Sequence, residues 1–281
     1  MVFLQRLFLN LGPNALRVLG PFQYLRYLVA FTVCLPQILR VRNLVPLDRY
    51  MGSKQICVRF QRRRFVIDCS RIDELIADGS FTFGTIREMF IRNCYIRHGI
   101  EHALASAQTV LDLGTNRGIF STMAATGVRL VVALDAQSHF VEAVKLNMAI
   151  NRCNNYIVET AFVGAGGLSG SQEKLTRNTV SIQEIADKHR ITKFDLAKID
   201  IEGSEFALFG SPEWLRLVGA ICMEVHPAFG AVQNILDSLE KNGFSVVVTD
   251  DLFRPVQSAQ DAVFIYAVKG DSPLSPSQSP M

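Results

Sequence analysis

The first 47 residues contain no aspartate or glutamate, although they carry five arginines, Arg6, Arg17, Arg26, Arg40 and Arg42. The six cysteines, Cys34, Cys57, Cys69, Cys94, Cys153 and Cys222, form no CxxC pair and show no metal-ligand spacing. This argues against a cysteine-bound zinc framework and for the reduced, mostly buried thiols of a cytoplasmic protein. The amino-terminal uncharged run, Tyr27 to Leu39, is thirteen residues long and contains Pro36, whereas crossing a bilayer takes roughly 20 residues. No small-residue cleavage site follows an apolar core, so a secretory signal is not expected. Charge is also scarce in net terms: +3 with a pI near 8.5. Acids and bases are interspersed, no basic footprint stands out, and no nucleic-acid partner is expected.

What is present suits one globular domain with an appendage: 281 residues, 49% hydrophobic and 20% charged. Residues 1–50 form a basic, apolar extension with Phe3, Leu4, Leu7, Phe8 and Leu11 at helical spacing. It reads first as a helix packed on the domain, and second as a segment in which residues 1–47 lie on a membrane surface. Residues 51–82 follow as a hairpin, "QICVRFQRRRFVIDC", and a linker. A helix is expected over Thr85 to Arg97. From Thr109, strand and helix patterns alternate: "TVLDLG", then Ile119–Thr126, "LVVALD", Ser138–Asn151, "YIVETAFVG", "SIQEIADKH", "FDLAKIDI", a helix from Ser204, "GAICMEV" and Ala231–Asn242. Such alternation with short connections predicts a Rossmann-like α/β domain over 83–269, a mostly parallel sheet with helices on both faces. "FSVVVTD" and "DAVFIYAV" then predict a closing antiparallel hairpin, and the Ser/Pro-rich residues 270–281 a disordered tail.

The stretch "VLDLGTNRGIF" places Asp112, Gly114 and Gly118 where the first strand of this domain turns into a helix, where bare backbone can approach a ligand. Asp135 ends the next strand 21 residues after Gly114, the interval at which a carboxylate accepts bonds from a ribose diol. A nucleoside site follows. A dinucleotide would need G-x-G-x-x-G, but here the spacing is D-x-G-x-x-x-G, and an acid two residues before the first glycine repels a pyrophosphate. It suits a ligand with a cationic end, such as the sulfonium of S-adenosylmethionine (SAM).

"VLDLGTNRGIFS" resembles motif I of class I SAM-dependent methyltransferases, and "KFDLAKIDIEGSEFALF" resembles the Lys-x-Asp-x-Glu-Gly-x-Glu signature of the FkbM-type family. "VEAVKLNMAINRCNN", "REMFIRNCY" and Glu224-Val-His226 agree with it, so that the similarity covers about residues 83 to 249. The resemblance implies a seven-stranded sheet binding SAM at the carboxyl ends of its strands, and methyl transfer to a hydroxyl of a sugar, glycolipid or secondary metabolite. It also implies roles: Asp112, Gly114, Asn116 and Gly118 on the methionine side, Tyr95 near the methionine carboxylate from a helix ahead of motif I, and Asp135 on the ribose. "TAFVGAGG" lacks the acid that many such enzymes use for adenine, which leaves backbone groups, Ala161 and Phe162 to hold the base.

Four carboxylates, Asp195, Asp200, Glu202 and Glu205, crowd the signature. Asp200, at the carboxyl end of its strand, is the residue expected to face the methyl group. His226 is the expected proton acceptor, with Glu224 able to orient it. Glu205 and Glu202 read as helix-start charges and Asp195 as a surface turn residue, while Lys198 inside the strand requires a carboxylate partner, Asp112 or Asp200. A metal held by Asp200, Glu202, Glu224 and His226 is the weaker alternative, and none is assigned. The competing functions are a nicotinamide-dependent oxidoreductase and a non-catalytic SAM-fold module.

Overall fold

The computed structural model describes residues 10–163 and 179–270. Residues 1–9, 164–178 and 271–281, the last being the expected tail after Gly270, lie outside the described residues. The chain divides into two compact units. One takes the chain up to Cys94 with Asn116–Gly127 and His139–Asn154; the other takes Tyr95–Thr115, Val128–Ser138 and the chain from Asn155.

In the first unit a helix over Pro13–Val41 packs along a hairpin of β1 (Gln55–Phe60) and β2 (Arg63–Asp68). Gln61 and Arg62 form the turn with φ of 47° and 63°, a two-residue connection whose twist matches paired strands. The helix buries Tyr27, Ala30, Cys34 and Ile38, and the Tyr27 ring lies 5.7 Å from that of Phe83. The sequence makes the uncharged run too short to cross a bilayer; the helix has 29 residues and is long and apolar enough to do so by length and composition. Pro36 does not end it. A proline inside a helix removes one backbone bond, and here the face packed on the hairpin holds the turns on either side together. The break comes earlier, at Gly20, whose φ of 69° and ψ of 169° leave helical geometry just before Pro21 starts the longer segment.

The helix expected over Thr85 to Arg97 covers only Thr82–Ile86 and passes into a π-helical turn, Arg87–Ile91, closed by the Arg92 N–H donating to the Arg87 carbonyl at 2.8 Å. Arg87, Met89, Phe90 and Ile91 are all buried, which one stripe of a regular α-helix cannot arrange, and the wider turn rotates them inward. Arg87 then reaches Asp48 through two bonds, Nε to Oδ1 at 3.0 Å and Nη2 to Oδ2 at 2.9 Å, with Asn10 accepting from Nη1 at 3.1 Å. On the far side of the hairpin, the Asn151 amide accepts from the Val66 N–H and donates to the Val66 carbonyl, both at 2.7 Å, standing in for a third strand.

The second unit is built on a seven-stranded sheet. Its strands are β3 (Thr109–Leu113), β4 (Leu130–Asp135), β5 (Tyr156–Thr160), β8 (Leu196–Ile199), β9 (Ala220–Glu224), β10 (Phe244–Thr249) and β11 (Phe264–Lys269), in the order β10-β11-β9-β8-β3-β4-β5. β5, β4, β3, β8 and β9 are parallel, and β11 pairs antiparallel with both β9 and β10, the expected closing hairpin. Every position of β3 is buried, as a central parallel strand requires. Leu111, Val132, Ile199, Ile221, Phe194 and Trp214 belong to one apolar core. The strand expected through Gly164 breaks at Ala161, and β6 (Phe162–Val163) pairs apart from the sheet with β7 (Thr179–Val180).

Removing one partner from the buried Arg87–Asp48 pair strands a charge, at a cost of about 3–5 kcal/mol. Asp48→Ala should lower the urea midpoint accordingly, and Asp48→Leu combined with Arg87→Met should recover most of the loss; equal stability of Asp48→Ala and wild type would contradict the pairing.

Candidate active site

The parallel strands of the second unit end at one edge, where β3, β4, β8 and β9 deliver Asp112, Asp135, Asp200 and Glu224. Lys198, one position inside the end of β8, is 0% exposed. Its Nζ donates to the Gly114 carbonyl at 2.6 Å and lies 3.4 Å from Asp112 Oδ1 and 3.8 Å from Asp200 Oδ2. Burial works against the ammonium, but Asp112 and then Asp200 outweigh it and hold the Lys198 pKa above the ordinary lysine value. The sequence leaves Asp112 and Asp200 as alternative partners; Lys198 takes both. Gly114 is at φ 71°, and a Cβ there would run into the Asp200 carbonyl oxygen, so the two strand ends close on each other only around a glycine.

Gly114 and Thr115 both donate their N–H to the Leu134 carbonyl, at 3.0 and 3.2 Å, and the Thr115 hydroxyl donates to Asp112 at 3.1 Å. Two of the loop's backbone donors are therefore already engaged, and an acid stands beside them. Asp135 Oδ1 accepts from Gln137 N–H at 2.9 Å, and the Asp135 carbonyl accepts from Ala161 N–H at 2.9 Å, which ties the expected adenine side, with Phe162 half-buried, to the expected ribose carboxylate. Asn116 and Gly118 belong to the other unit. There Asn116 Oδ1 accepts from Arg117 N–H at 2.8 Å, and a Cβ on Gly118 would meet Val144, so its bareness serves helix packing within that unit.

Tyr95 lies in irregular chain, not on a helix. Its hydroxyl donates to Asp200 Oδ2 at 2.9 Å and lies 3.4 Å from Glu224 Oε2, and its ring edge meets Phe264 at 6.2 Å. Glu224 thus faces Tyr95. The role of orienting His226, expected of Glu224, falls to Glu205: Oε1 accepts from the His226 backbone N–H at 2.7 Å and from Nδ1 at 2.9 Å, and Oε2 accepts from Gly203 N–H at 2.8 Å. Glu205 opens the short helix Glu205–Phe209, as expected of a helix-start charge, but it is 0% exposed and its carboxylate also serves His226. The reason is local. Glu202 and Gly203 take φ of 52° and 96°, and this tight turn swings the first helical residue inward. Glu202 is left exposed, 3.4 Å from His226 Nε2. Asp195 accepts from Gln108 and Thr109 N–H at 2.8 and 3.0 Å, so it fastens the start of β3 besides pairing with Lys193 at 3.2 Å.

The bond to Glu205 raises His226 to about 9 against the pull of burial, with the charges of Glu205, Asp200 and Glu202 adding to it. At neutral pH the ring is therefore an imidazolium, and the expectation of a His226 base gives way. The ligand atoms of Asp200, Glu202 and His226 lie within 4.8 Å of one another. With Lys198 beside Asp200 and a protonated ring beside Glu202, the group reads as a charge-compensated network.

Strand order, acidic carboxyl edge and glycine turn together define a Rossmann-like methyltransferase domain of class I. The Methyltransferase FkbM domain matches residues 112–246, and over that span the chain carries an FkbM-type methyltransferase domain. The chain is similar to 31-O-demethyl-FK506 methyltransferase FkbM of Streptomyces tacrolimicus, with 25% identity over a stretch covering 59% of this chain and 82% of that protein. Among solved structures it is similar to an O-methyltransferase from Bacillus cereus in complex with SAH (18% identity, 62% of this chain and 79% of that one, TM-score 0.40). It is also similar to an rRNA methylase from Streptococcus thermophilus (13% identity, 60% and 92%, TM-score 0.39). The fold assignment rests on the strand order itself.

His226, raised from 6.5 to about 9, contributes stability that is complete below pH 6.5 and lost as pH rises through 9. Wild type should lose roughly 1–3 kcal/mol by urea denaturation between those limits beyond the loss seen in Glu205→Gln. Parallel pH profiles of the two proteins would remove the assigned bond as the cause.

Proposed function

We propose that the protein transfers a methyl group from SAM to a hydroxyl oxygen of a small molecule or glycan: a sugar, glycolipid or secondary metabolite. The observation that carries this is Asp200, held at the end of β8 by Lys198 and by the Tyr95 hydroxyl, at an edge lined with acids. The donor set fits SAM. Asp112 and Asp135 offer negative charge to a sulfonium and acceptors to a ribose diol, while the bonds from Gly114 and Thr115 to Leu134 leave those two donors engaged and unsuited to the pyrophosphate of a nicotinamide cofactor. The name of the Streptomyces tacrolimicus relative supports oxygen as the methyl acceptor. The six free cysteines support a cytoplasmic setting.

When bound, SAM supplies a methyl carbon made electrophilic by positive sulfur. The chain supplies alignment and a place for the proton. Asp112 and Asp135 would hold the cofactor, and Asp200 would take up the proton of the acceptor hydroxyl that the methyl group is to join. Tyr95 donates to the same carboxylate and fixes its direction. His226, positively charged, holds Glu205 and Glu202 in place and balances the carboxylates, so that Asp200 can work beside them. Alignment of the reacting atoms contributes most, and a positioned base about 10²–10⁴-fold.

Calorimetry should register binding of SAM and none of NAD, with Asp135→Ala weakening SAM at least tenfold, about 1.4 kcal/mol. Methyl transfer from labelled SAM to metabolite extracts, followed by mass spectrometry, should fall about 10²–10⁴-fold in Asp200→Asn and less in His226→Asn. Tight NAD binding without SAM binding would overturn the reading, and the reverse ranking of the two variants would move the base to His226.

A further inference from the structure

Among the described residues eleven large apolar side chains stand exposed, and nine of them lie between residues 16 and 50. Four of them, Phe22 (89% exposed), Leu25 (62%), Val29 (50%) and Val33 (62%), follow one another at steps of three, four and four residues and so form one stripe on the helix Pro13–Val41. The opposite stripe, Tyr27, Ala30, Cys34 and Ile38, is the one buried against the hairpin of the same unit. A helix apolar on both faces with only one face covered leaves a surface that water does not favour. Scattered apolar residues would need no explanation, but a continuous stripe does.

The charge around the stripe is of one sign. Arg17, Arg40, Arg42 and Arg49 are exposed, and no acid occurs before Asp48, which is buried with Arg87. Beside Val33 opens a cleft of about 530 Å³, whose lining mixes Val33, Cys34 and Pro46 with Arg26, Arg49 and Lys54. A cleft lined by both apolar and basic side chains suits an anionic headgroup at the start of its acyl chains.

We propose that the helix Pro13–Val41 lies in the plane of an anionic lipid surface, with Phe22, Leu25, Val29 and Val33 entering the acyl boundary and the arginines and the basic cleft meeting the headgroups. A spanning orientation is disfavoured, because the helix would have to leave the β1 strand, whose Ile56 and Val58 are 0% exposed. A protein partner would meet the apolar stripe equally well, but the exposed arginines and a cleft whose lining holds Arg26, Arg49 and Lys54 and no acid favour an anionic surface. The surface lies outside the methyl-transfer chemistry and stands whether or not the proposed reaction is correct.

The full-length protein, mixed with phosphatidylcholine vesicles containing roughly a third phosphatidylglycerol, should float with them, and it should not float with phosphatidylcholine alone. Phe22→Asp combined with Leu25→Asp should abolish flotation while leaving circular dichroism and the melting curve unchanged, since both side chains are exposed. Arg40→Gln and Arg42→Gln should each lower the partition coefficient about fivefold and additively. Failure to float with either vesicle would overturn the proposal. So would resistance to extraction by alkaline carbonate, which would mean a spanning helix, or a fall in molecular mass of the vesicle-free protein on Phe22→Asp, which would mean that a second copy covers the stripe.

Discussion

A single ammonium organises the chemistry-bearing edge of this molecule. Lys198 is buried at the end of the central strand β8, where it meets two carboxylates and the carbonyl of a glycine turn. A charged lysine without partners would be costly in such a place, and two unpaired acids beside it more so. Together they fix one another. Because Asp112 and Asp200 belong to different strands, the same contact sets both the distance between the strand ends and the direction of the acid available for chemistry. Gly114 makes this possible by leaving room for the Asp200 carbonyl. The backbone and the charges therefore impose the same spacing, which is the kind of agreement between levels that gives a site rigidity.

Around this pair the remaining acids divide their tasks by position. Asp195 binds two backbone donors at the amino end of the neighbouring strand and never approaches the site. Glu205 turns inward and takes the histidine. Glu202 stays in solvent as the outer partner of the same ring. Negative charge so concentrated would repel itself and destabilise the edge if it were not matched, and it is matched from two directions: by Lys198 from within the sheet and by His226 from the loop after β9. The consequence for the edge is a division of labour in which the histidine contributes positive charge and the carboxylates around it stay ordered.

Much of the sheet was legible in the sequence because buried parallel strands read as apolar runs, and "TVLDLG", "LVVALD" and "GAICMEV" announce themselves. The acid-glycine-acid spacing of Asp112, Gly114 and Asp135 was legible for the same reason, since each sits at a strand end that periodicity locates. What could not be read was direction within turns. Nothing in "IEGSE" says that Glu202 and Gly203 take positive φ, and that conformation turns the carboxylate of Glu205, the first residue of its helix, toward the His226 ring. The signal that was available is the spacing of two glutamates around a glycine, followed at distance by a histidine next to a proline; it names the participants without their pairing. Likewise "REMFIRNCY" is rich in apolar residues at no fixed period, which is how a π-helical turn looks in sequence, and the expected helix was too long for that reason. Pro36 misled in the opposite sense, because tertiary packing outweighs a local penalty of a few kcal/mol.

The Asn151 amide that completes the edge of β2 has an implication for the order of assembly. The hairpin it braces is 85 residues earlier in the chain, and the helices Ile119–Ala125 and Ser138–Ile150 that complete the same unit come from the middle of the sequence. During synthesis the amino-terminal helix and hairpin are made first but stay unfinished until residue 151 has left the ribosome, so their apolar faces wait through the production of the first two strands of the other unit. The helix and hairpin are thus an early half of a structure whose second half is delivered late, and removing them would strip partners from elements in the middle of the methyltransferase sequence.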